Sequence, residues 1–503
     1  MTFAKYMGAA TILALTAGAV QAQDLRIGLQ EDPDILDPDQ SRTFVGRIVY
    51  ASLCDKLVDI TPDLEIIPML ATGWSWSDDG TVLTMDLRDD VVFHDGTPFN
   101  AEAVAANIDR SKNLETSRRK SEVSSIESWS VIDEFTIEMT LAAPDATLIA
   151  QFADRSGMML SPTAFNEAGE DFGLSPVCAG PFSFSERIQQ DRIVLEKFED
   201  YYRADEIAFD SVTFLPIPDT TVRLANLRAG DLDMLERLAA TDVSSVEADA
   251  GLQMESATSL GYQGITINVG NGERAENPLG SNATVRQALS LAIDRGALNQ
   301  VVFEGAFAPG NQPYSPASPW YNASFPVPER DVDAARALLA EAGFADGVTI
   351  EVQVANNPVQ TQVMQVIQSM AADAGITIEL VAKEFATLLS DQSAGDYTAS
   401  QVGWSGRVDP DGNIHQFMTT GGGINDSKYS SESMDQLLND ARLSTEPAVR
   451  GESYDAAIAL QQEAMPIVYL YHPVWIWALA DSMQDFTPYP DGMIRLHGVS
   501  LSE

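Results

Sequence analysis

Residues 348–380 read VTIEVQVANNPVQTQVMQVIQSMAADAGITIEL and divide into three parts. Apolar residues alternate with polar ones from Val348 to Val354 and again from Ile376 to Leu380, so both ends predict β-strands. Between the two ends, apolar residues recur at helical spacing at Val363, Ile367 and Met370. Two strands joined by a helix of this length form a parallel pair with a right-handed crossover. The stretch therefore predicts an α/β fold.

A loop with ligand-binding chemistry follows the next predicted strand, which covers 397–402. Residues 403–413 read GWSGRVDPDGN. Ligands of open α/β sheets bind beyond the carboxyl ends of the strands, where this loop is expected to lie. Trp404 offers a flat apolar face, and Arg407 and Asp409 offer opposite charges that suit a zwitterion. We take these three residues, with Gly403 and Ser405, as ligand-binding candidates. An ordinary surface turn is the alternative, because Asp-Pro-Asp-Gly is common turn chemistry.

The first 22 residues have the pattern of a secretory signal peptide. Lys5 precedes an apolar run from Ala9 to Val20, and Val20-Gln21-Ala22 fits a cleavage site. The run is shorter than the ~20 residues that a membrane span needs. No cysteine follows the cleavage site, so a lipid anchor is unsupported. The sequence predicts an exported, soluble protein.

Length and charge limit the classes of protein that remain. The exported chain is too long for one hydrophobic core, so we expect at least two lobes. The full sequence has 74 acidic and 30 basic residues, with a formal net charge of -44. Such a charge disfavours binding to nucleic acid or to an anionic membrane surface. We expect no nucleic-acid partner.

Motifs for catalysis or metal binding are incomplete. Arg407 stands where a G-x-S-x-G nucleophile motif beginning at Gly403 needs its last glycine. A calcium loop beginning at Asp409 would need glycine at Ile414 and glutamate at Thr420. The four histidines show no pair at metal-ligand spacing, and they are His94, His415, His472 and His497. We expect no enzyme, metal site or cofactor.

Residues 87–104, LRDDVVFHDGTPFNAEAV, carry the resemblance to a known family. The segment resembles the signature of the large periplasmic solute-binding proteins of peptide and nickel ABC importers, family 5 of the extracellular solute-binding proteins. Residues 176–184 are similar to the family's Gly-Pro-aromatic turn, and residues 284–295 to the helix that opens its second lobe. The resemblance implies a two-lobed periplasmic binding protein fold of the α/β class, with a hinge and an extra subdomain in the first lobe.

The resemblance also implies domain boundaries and a function. Lobe I is expected over 23–267 and 478–503, with the subdomain at about 60–175, and lobe II over 268–477. The implied function is that of a monomeric periplasmic receptor, which captures a peptide or peptide-like molecule by lobe closure and delivers it to an ABC permease. A nickel chelate or another small solute is the alternative ligand. A secreted peptide hydrolase is the alternative of another class.

The family's ligand contacts carry over only in part. Dipeptide receptors of the family hold the peptide amino group with an Asp just after the Gly-Trp pair, and Asp409 matches that Asp in a loop one residue shorter. They hold the carboxylate with an Arg before the helix that opens near Pro358, but residues 355–358 read ANNP and contain no Arg. Arg407 or Arg155 is expected to replace it. Tyr262 and Asn268 complete the candidate set, and His415 is the only nearby imidazole for nickel.

The resemblance places both cysteines of the chain, Cys54 and Cys178, in the first lobe. Export brings them into an oxidising compartment, where a disulfide persists. We predict that they form a disulfide. Two buried free thiols are the alternative.

Overall fold

A computed structural model describes residues 23–316 and 318–502, so the expected signal peptide lies outside the described residues. Its largest sheet has seven strands, in which Asp24–Leu29 is parallel to Ser211–Pro216 and Met234–Leu235. The order across this sheet is Leu252–Thr258, Val474–Ala480, Met234–Leu235, Asp24–Leu29, Ser211–Pro216, Arg192–Lys197 and Phe182–Ile188. It forms the centre of the first lobe.

A six-stranded sheet forms the centre of the second lobe. Its order is Ala308–Pro309, Ile467–His472, Tyr262–Ile267, Ala399–Trp404, Val348–Ala355 and Ile376–Lys383. The predicted strand pair is parallel, with Val348 opposite Ile376, and the helix Pro358–Asp373 connects the two strands. Val363, Ile367 and the inward side chains of both strands pack in one buried cluster, which explains why the apolar spacing predicted this unit correctly.

A smaller antiparallel sheet lies inside the predicted subdomain range. Its strands are Ala71–Trp76, Val82–Leu87, Thr136–Leu141 and Ile126–Asp133, in that order. The helix Ala101–Asn113 packs on it and begins at Asn100, whose side chain accepts a hydrogen bond from the backbone N–H of Ala103 at 2.9 Å. Two further strand pairs are Val58–Ile60 with Ile66–Pro68, and Met483–Gln484 with Ser500–Leu501.

The α-helices pack against these sheets or against one another. Those not yet named are Phe44–Leu53, Leu148–Gln151, Pro162–Ala168, Thr220–Ala229, Val243–Glu247, Pro278–Ser281, Ala283–Ala292, Arg295–Phe303, Val332–Glu341, Phe385–Ala394, Asp411–Met418, Glu432–Leu443 and Pro447–Ala464. Among residues 23–316 and 318–502, a search for a helix with the length and hydropathy of a membrane span finds none.

The chain crosses between the two large sheets at 259–261 and at Pro473, which corrects the boundaries expected from the sequence. The boundary expected at 267 places Tyr262–Ile267 in the first lobe, but this strand pairs with Ala399–Trp404 and Ile467–His472 in the second. The return crossing expected at 477 divides the strand Val474–Ala480 between the lobes, but this strand pairs with Leu252–Thr258 in the first lobe. Alternating apolar residues identify a strand but not the sheet that it joins.

The predicted disulfide between Cys54 and Cys178 is confirmed. Their Cα atoms lie 4.9 Å apart. Cys54 directly follows the helix Phe44–Leu53, and Cys178 precedes the strand Phe182–Ile188, so both lie in the hydrophobic core of the first lobe. The bond therefore joins two parts of one lobe and does not cross between lobes.

Candidate functional site

The candidate site is a cavity between the two lobes, with about 950 Å³ of empty space including its mouth. From the first lobe it is lined by Gln30, Glu31, Arg42, Phe44 and Arg237. The second lobe contributes residues from the ends of two parallel strands, Val348–Ala355 and Ala399–Trp404, among them Asn357 and Gly403 to Ser405. The cavity thus lies at the carboxyl ends of strands, where the α/β fold predicts it.

The ligand-binding loop expected at 403–413 is only partly irregular. Gly403 and Trp404 are the last residues of a strand, and a helix begins at Asp411, directly after Pro410. Proline is tolerated at a helix start because no backbone N–H is needed there. Trp404 lines the cavity, donates from Nε1 to the Asn413 side-chain oxygen at 3.0 Å, and packs edge to face on Phe417.

Two glycines allow this loop to pack against the chain crossing. A Cβ on Gly406, whose φ is +87°, would lie 2.4 Å from the carbonyl carbon of Leu260. A Cβ on Gly261 would lie 2.0 Å from the carbonyl oxygen of Trp404. Neither distance permits a side chain, so glycine is required at both positions. The candidate site and the crossing at 259–261 are in direct backbone contact.

Ser405 and Arg407 connect the second lobe to the first. The Arg407 guanidinium lies 4.1 Å over the Trp404 ring, and its Nε forms an ion pair with Asp154 of the first lobe. Arg47 also pairs with Asp154 and donates from Nη1 to the Ser405 hydroxyl at 2.9 Å. Burial alone would raise the pKa of Asp154, but Arg407 and Arg47 outweigh it and lower that pKa. Arg407 belongs to an interlobe ion pair and does not line the cavity.

Asp409, the expected partner of a ligand amine, is already paired. Arg450, from the helix Pro447–Ala464, donates from Nη2 to the Asp409 carboxylate at 2.6 Å. Burial raises the pKa of Asp409, and Arg450 opposes that rise. Asp409 does not line the cavity. A ligand amine could reach this carboxylate only by displacing Arg450.

The remaining three candidates also lie outside the cavity lining. Arg155 is buried and donates from Nη2 to the Thr43 carbonyl at 2.6 Å. Burial and, to a smaller extent, neighbouring Arg119 together lower the pKa of Arg155 to about 10. Tyr262 packs edge to face on Tyr469 with 4.7 Å between ring centroids. Asn268 donates to the carbonyl of Tyr397 at 3.0 Å and supports the backbone there.

Among the described residues, four charged side chains of the cavity wall were not predicted from the sequence, namely Glu31, Arg42, Arg237 and Asp426. Glu31 is 8% exposed, and burial raises its pKa to about 8, although Arg237 opposes the rise. The Arg237 guanidinium lies 4.5 Å over Phe44 and 4.8 Å over Trp475, and its Nε lies 3.4 Å from the Glu236 carboxylate. That Nε makes no hydrogen bond to any residue in the described part of the chain.

Arg42 is the other guanidinium in the cavity wall, and it also spans the lobes. It pairs through Nη2 with Asp426 at 2.6 Å and donates from Nη1 to the Ser393 hydroxyl at 2.7 Å. Arg42 comes from the first lobe, and both of its partners belong to the second. Like the Arg407–Asp154 pair, this contact holds the lobes together beside the cavity.

A cavity enclosed by two α/β lobes that are joined by two crossings defines a two-lobed solute-binding protein. The model of the bacterial extracellular solute-binding proteins, family 5, matches residues 65–426. The chain belongs to this family, as the resemblance of residues 87–104 predicted. Its members are periplasmic proteins that bind peptides or small molecules and work with ABC transporter permeases.

Curated relatives include glutathione-binding proteins. The chain is 27% identical over 511 residues to the glutathione-binding protein GsiB of Pectobacterium atrosepticum, covering 99% of this chain and 98% of the relative. It is 30% identical over 368 residues to GsiB of Salmonella typhi, covering 73% and 70%. These relatives are solute-binding proteins and not enzymes.

Solved structures with the same fold bind several kinds of ligand. The periplasmic binding protein AgaA of A. tumefaciens R10, in complex with agropinic acid, superposes with a TM-score of 0.87 at 26% identity, covering 95% of this chain and 99% of AgaA. The dipeptide binding protein of Pseudoalteromonas sp. SM9913, in complex with Met-Leu, gives 0.88 at 23% identity, covering 95% and 100%. The second likeness shows the fold alone.

Proposed function

We propose that this chain is an exported receptor that captures a peptide-like, charged small molecule between its lobes and delivers it to an ABC permease. The observation that carries the proposal is the cavity itself, in which Glu31 and Arg237 of the first lobe face the strand ends of the second. A ligand with both an amine and a carboxylate would find an oppositely charged group for each.

Glu31 is the proposed partner of the ligand amine. The Asp that serves dipeptide receptors corresponds to Asp409 here, and Arg450 already occupies it. Glu31 lines the cavity, where burial raises the pKa of its carboxyl to about 8 and Arg237 only partly opposes the rise. An ammonium group placed beside Glu31 would favour the ionised carboxylate.

Arg237 is the proposed partner of the ligand carboxylate. The segment before the helix Pro358–Asp373 has Asn357 in place of the family's Arg, and Asn357 uses its side-chain oxygen to cap that helix at 2.9 Å from the Gln360 N–H. Arg407 and Arg155, the replacements suggested by the sequence, do not line the cavity. Arg237 does, and it approaches from the opposite lobe with few polar partners. A guanidinium in this state is suited to carboxylate recognition.

The proposed ligand class is a small peptide or amino-acid conjugate that carries at least one amine and one carboxylate. Glutathione has one amine and two carboxylates, and the cavity wall offers Glu31 for the amine and Arg237 for one carboxylate, while Arg42 and Asp426 are already paired with each other. Nickel chelates remain the alternative ligand, but no contact favours them. The Nε2 atom of His415 lies 3.0 Å from the Asn439 side chain, and His415 is not in the cavity wall.

Capture is proposed to work by lobe closure about the two crossings. A ligand that contacts both lobes binds the closed state more tightly, so it shifts the population toward closure. The pairs Arg42–Asp426 and Arg407–Asp154 would form only when the lobes meet. The permease would then recognise the closed surface. We also propose that residues 1–22 direct export and that the chain performs no catalysis.

Native mass spectrometry of protein purified from the periplasm tests the function. A co-purifying molecule of a few hundred daltons with amine and carboxylate groups is the expected result. A thermal-shift panel of glutathione, dipeptides, tripeptides and nickel–histidine then ranks the ligand classes, and mass spectrometry of the peptides after incubation reports any hydrolysis. Peptide turnover would favour the hydrolase alternative, and a shift with nickel–histidine alone would replace the peptide-like ligand with a metal chelate.

A further inference from the structure

A second cavity shares a wall with the candidate site and has different chemistry. It encloses about 910 Å³ of empty space including its mouth and extends toward the return crossing, where Pro473 and Trp475 line it. Gln30, Arg237, Gln263, Asn357 and Gln360 line both cavities. The partition between the two spaces is therefore built from polar side chains.

Aromatic rings form one side of this second cavity. Phe303 and Phe307 stack with 4.3 Å between centroids, and Tyr471 lies 4.7 Å from Phe303. The half-buried side chains of Ala239, Val359 and Val474 complete the apolar wall. Among residues 23–316 and 318–502, those that line the cavity include no aspartate, glutamate or lysine. The aromatic side of the cavity therefore suits an apolar group, while polar side chains such as Thr220, Gln263 and Gln362 line other parts of it.

Arg237 lies where the two cavities meet. Its guanidinium is 4.5 Å from Phe44, which lines the first cavity, and 4.8 Å from Trp475, which lines the second. The other arginine of the second cavity, Arg223, donates to the carbonyls of Ile217 and Arg237 and so holds the backbone. A ligand carboxylate or amide oxygen bound by Arg237 would leave an adjacent substituent at the entrance to the apolar space.

We infer that the ligand has two parts: a charged peptide-like part in the first cavity, and an aromatic or branched aliphatic group that enters the second cavity past Arg237. This inference rests on the proposed function for the charged part and adds the apolar group. Burying such a group against Phe303, Phe307 and Val474 removes apolar surface from water on both partners, which favours binding in proportion to the area buried.

Two probe sets test the inference on the full-length exported protein. Trialanine and three tripeptides with one alanine replaced by phenylalanine are titrated by calorimetry, and N-phenyl-1-naphthylamine is titrated by fluorescence. Ala239→Trp fills the second cavity from the first lobe, and Val359→Phe fills it from the second lobe if the first variant folds poorly. Ala340→Trp, on the exposed side of the helix Val332–Glu341, is the matched control.

At least one phenylalanine peptide should bind the wild type and Ala340→Trp about tenfold or more tightly than trialanine does. Ala239→Trp should remove that advantage, retain trialanine binding and weaken binding of the naphthylamine about tenfold or more. Suppose that trialanine binds but no phenylalanine peptide binds the wild type more tightly, or that the tighter binding of a phenylalanine peptide survives in both filled variants. In either case the inference is wrong and the peptide function stands. If no peptide binds, the test depends on the naphthylamine. Weaker naphthylamine binding by the filled variants than by the wild type supports the apolar cavity without the peptide function. Equal naphthylamine binding by all variants overturns the inference.

Discussion

Arg407 of the second lobe and Asp154 of the first form a buried ion pair, with 7% and 4% of their side chains exposed. Arg47 contacts the same carboxylate, so one acidic group of the first lobe is shared by two guanidinium groups from different lobes. Removing one member of a buried pair leaves its partners charged and desolvated, which costs more than the pair gains. The contact between the lobes at this point therefore depends on the single carboxylate of Asp154.

We predict that Asp154→Asn opens the lobes. In the closed form the substitution leaves Arg47 and Arg407 without an anion, at a cost of about 3–5 kcal/mol. Small-angle scattering should show a larger radius of gyration for the ligand-free variant than for the wild type. Asp373→Asn is the control, since the Asp373 side chain is 66% exposed in its pair with Arg330. Equal radii for the wild type and Asp154→Asn would show that the pair does not hold the lobes together.

We predict that Glu31 makes both stability and ligand binding depend on pH. The folded-state pKa of about 8 lies above the ordinary value of 4.5, so the folded protein retains a proton that the unfolded chain has lost. Stability from this group is present below pH 4.5 and is lost as the pH rises toward 8. Glu31→Gln should remove the part of the decline in stability with rising pH that comes from this group. Melting temperatures of both proteins between pH 5 and about 8.5 measure the difference. If the melting temperatures of the wild type and Glu31→Gln change with pH in parallel, the pKa of Glu31 is not raised.

Binding of an amine at Glu31 should release a proton at pH 7, because the ammonium favours the ionised carboxylate. Glutathione affinity should therefore rise between about pH 6 and 8 in the wild type. Calorimetry in buffers of different ionisation enthalpy measures the released proton, which should be absent in Glu31→Gln. Amine binding elsewhere would give the same proton count for both proteins.

We predict that Asp409→Ala mainly lowers stability, whereas Trp404→Ala mainly lowers ligand affinity. Asp409→Ala leaves Arg450 without its anion, so it should lower stability by about 3–5 kcal/mol and change ligand affinity little at temperatures where the variant stays folded. Trp404→Ala removes part of the cavity wall and should weaken affinity at least tenfold. Urea unfolding and calorimetry measure the two quantities. A large affinity loss for folded Asp409→Ala would return Asp409 to the ligand site.

We predict that reduction of the Cys54–Cys178 bond destabilises the protein by roughly 4–5 kcal/mol, less any strain, because the bond closes a long loop in the unfolded chain. Ligand affinity should change little, since the bond lies within the first lobe. Urea unfolding with and without reductant checks the stability. Thiol labelling of denatured, unreduced protein should find no reactive cysteine, and two labelled thiols would contradict the bond.

The sequence predicted those parts of the fold that depend on local pattern. The strands that begin at Val348 and Ile376 each bury one face and were found from their alternation. The same pattern could not assign Tyr262–Ile267 to a lobe, because sheet membership depends on partners far along the chain. The boundary expected at 267 was wrong for that reason.

The cavity wall was predicted in part. Gly403, Trp404 and Ser405 lie in it, as the rule that ligands bind at strand ends predicts, and their contact with a ligand stays a prediction; the same rule applied after Asp24–Leu29 indicates Glu31. Arg237 follows a strand of only two residues, Met234–Leu235, which no periodicity reveals. The pairing of Asp409 with Arg450 was not predicted, because Arg450 lies 41 residues away in sequence.

The contact between Gly261 and Trp404 has a mechanical consequence. The crossing backbone lies against the carbonyl of a cavity residue with no space for a methyl group between them. The contact is made by the Trp404 carbonyl and not by its indole, so the strand end that positions the indole is fixed to the crossing. A substitution that changes the indole to suit another ligand therefore leaves this junction intact, and ligand selectivity can change here without altering the connection between the lobes.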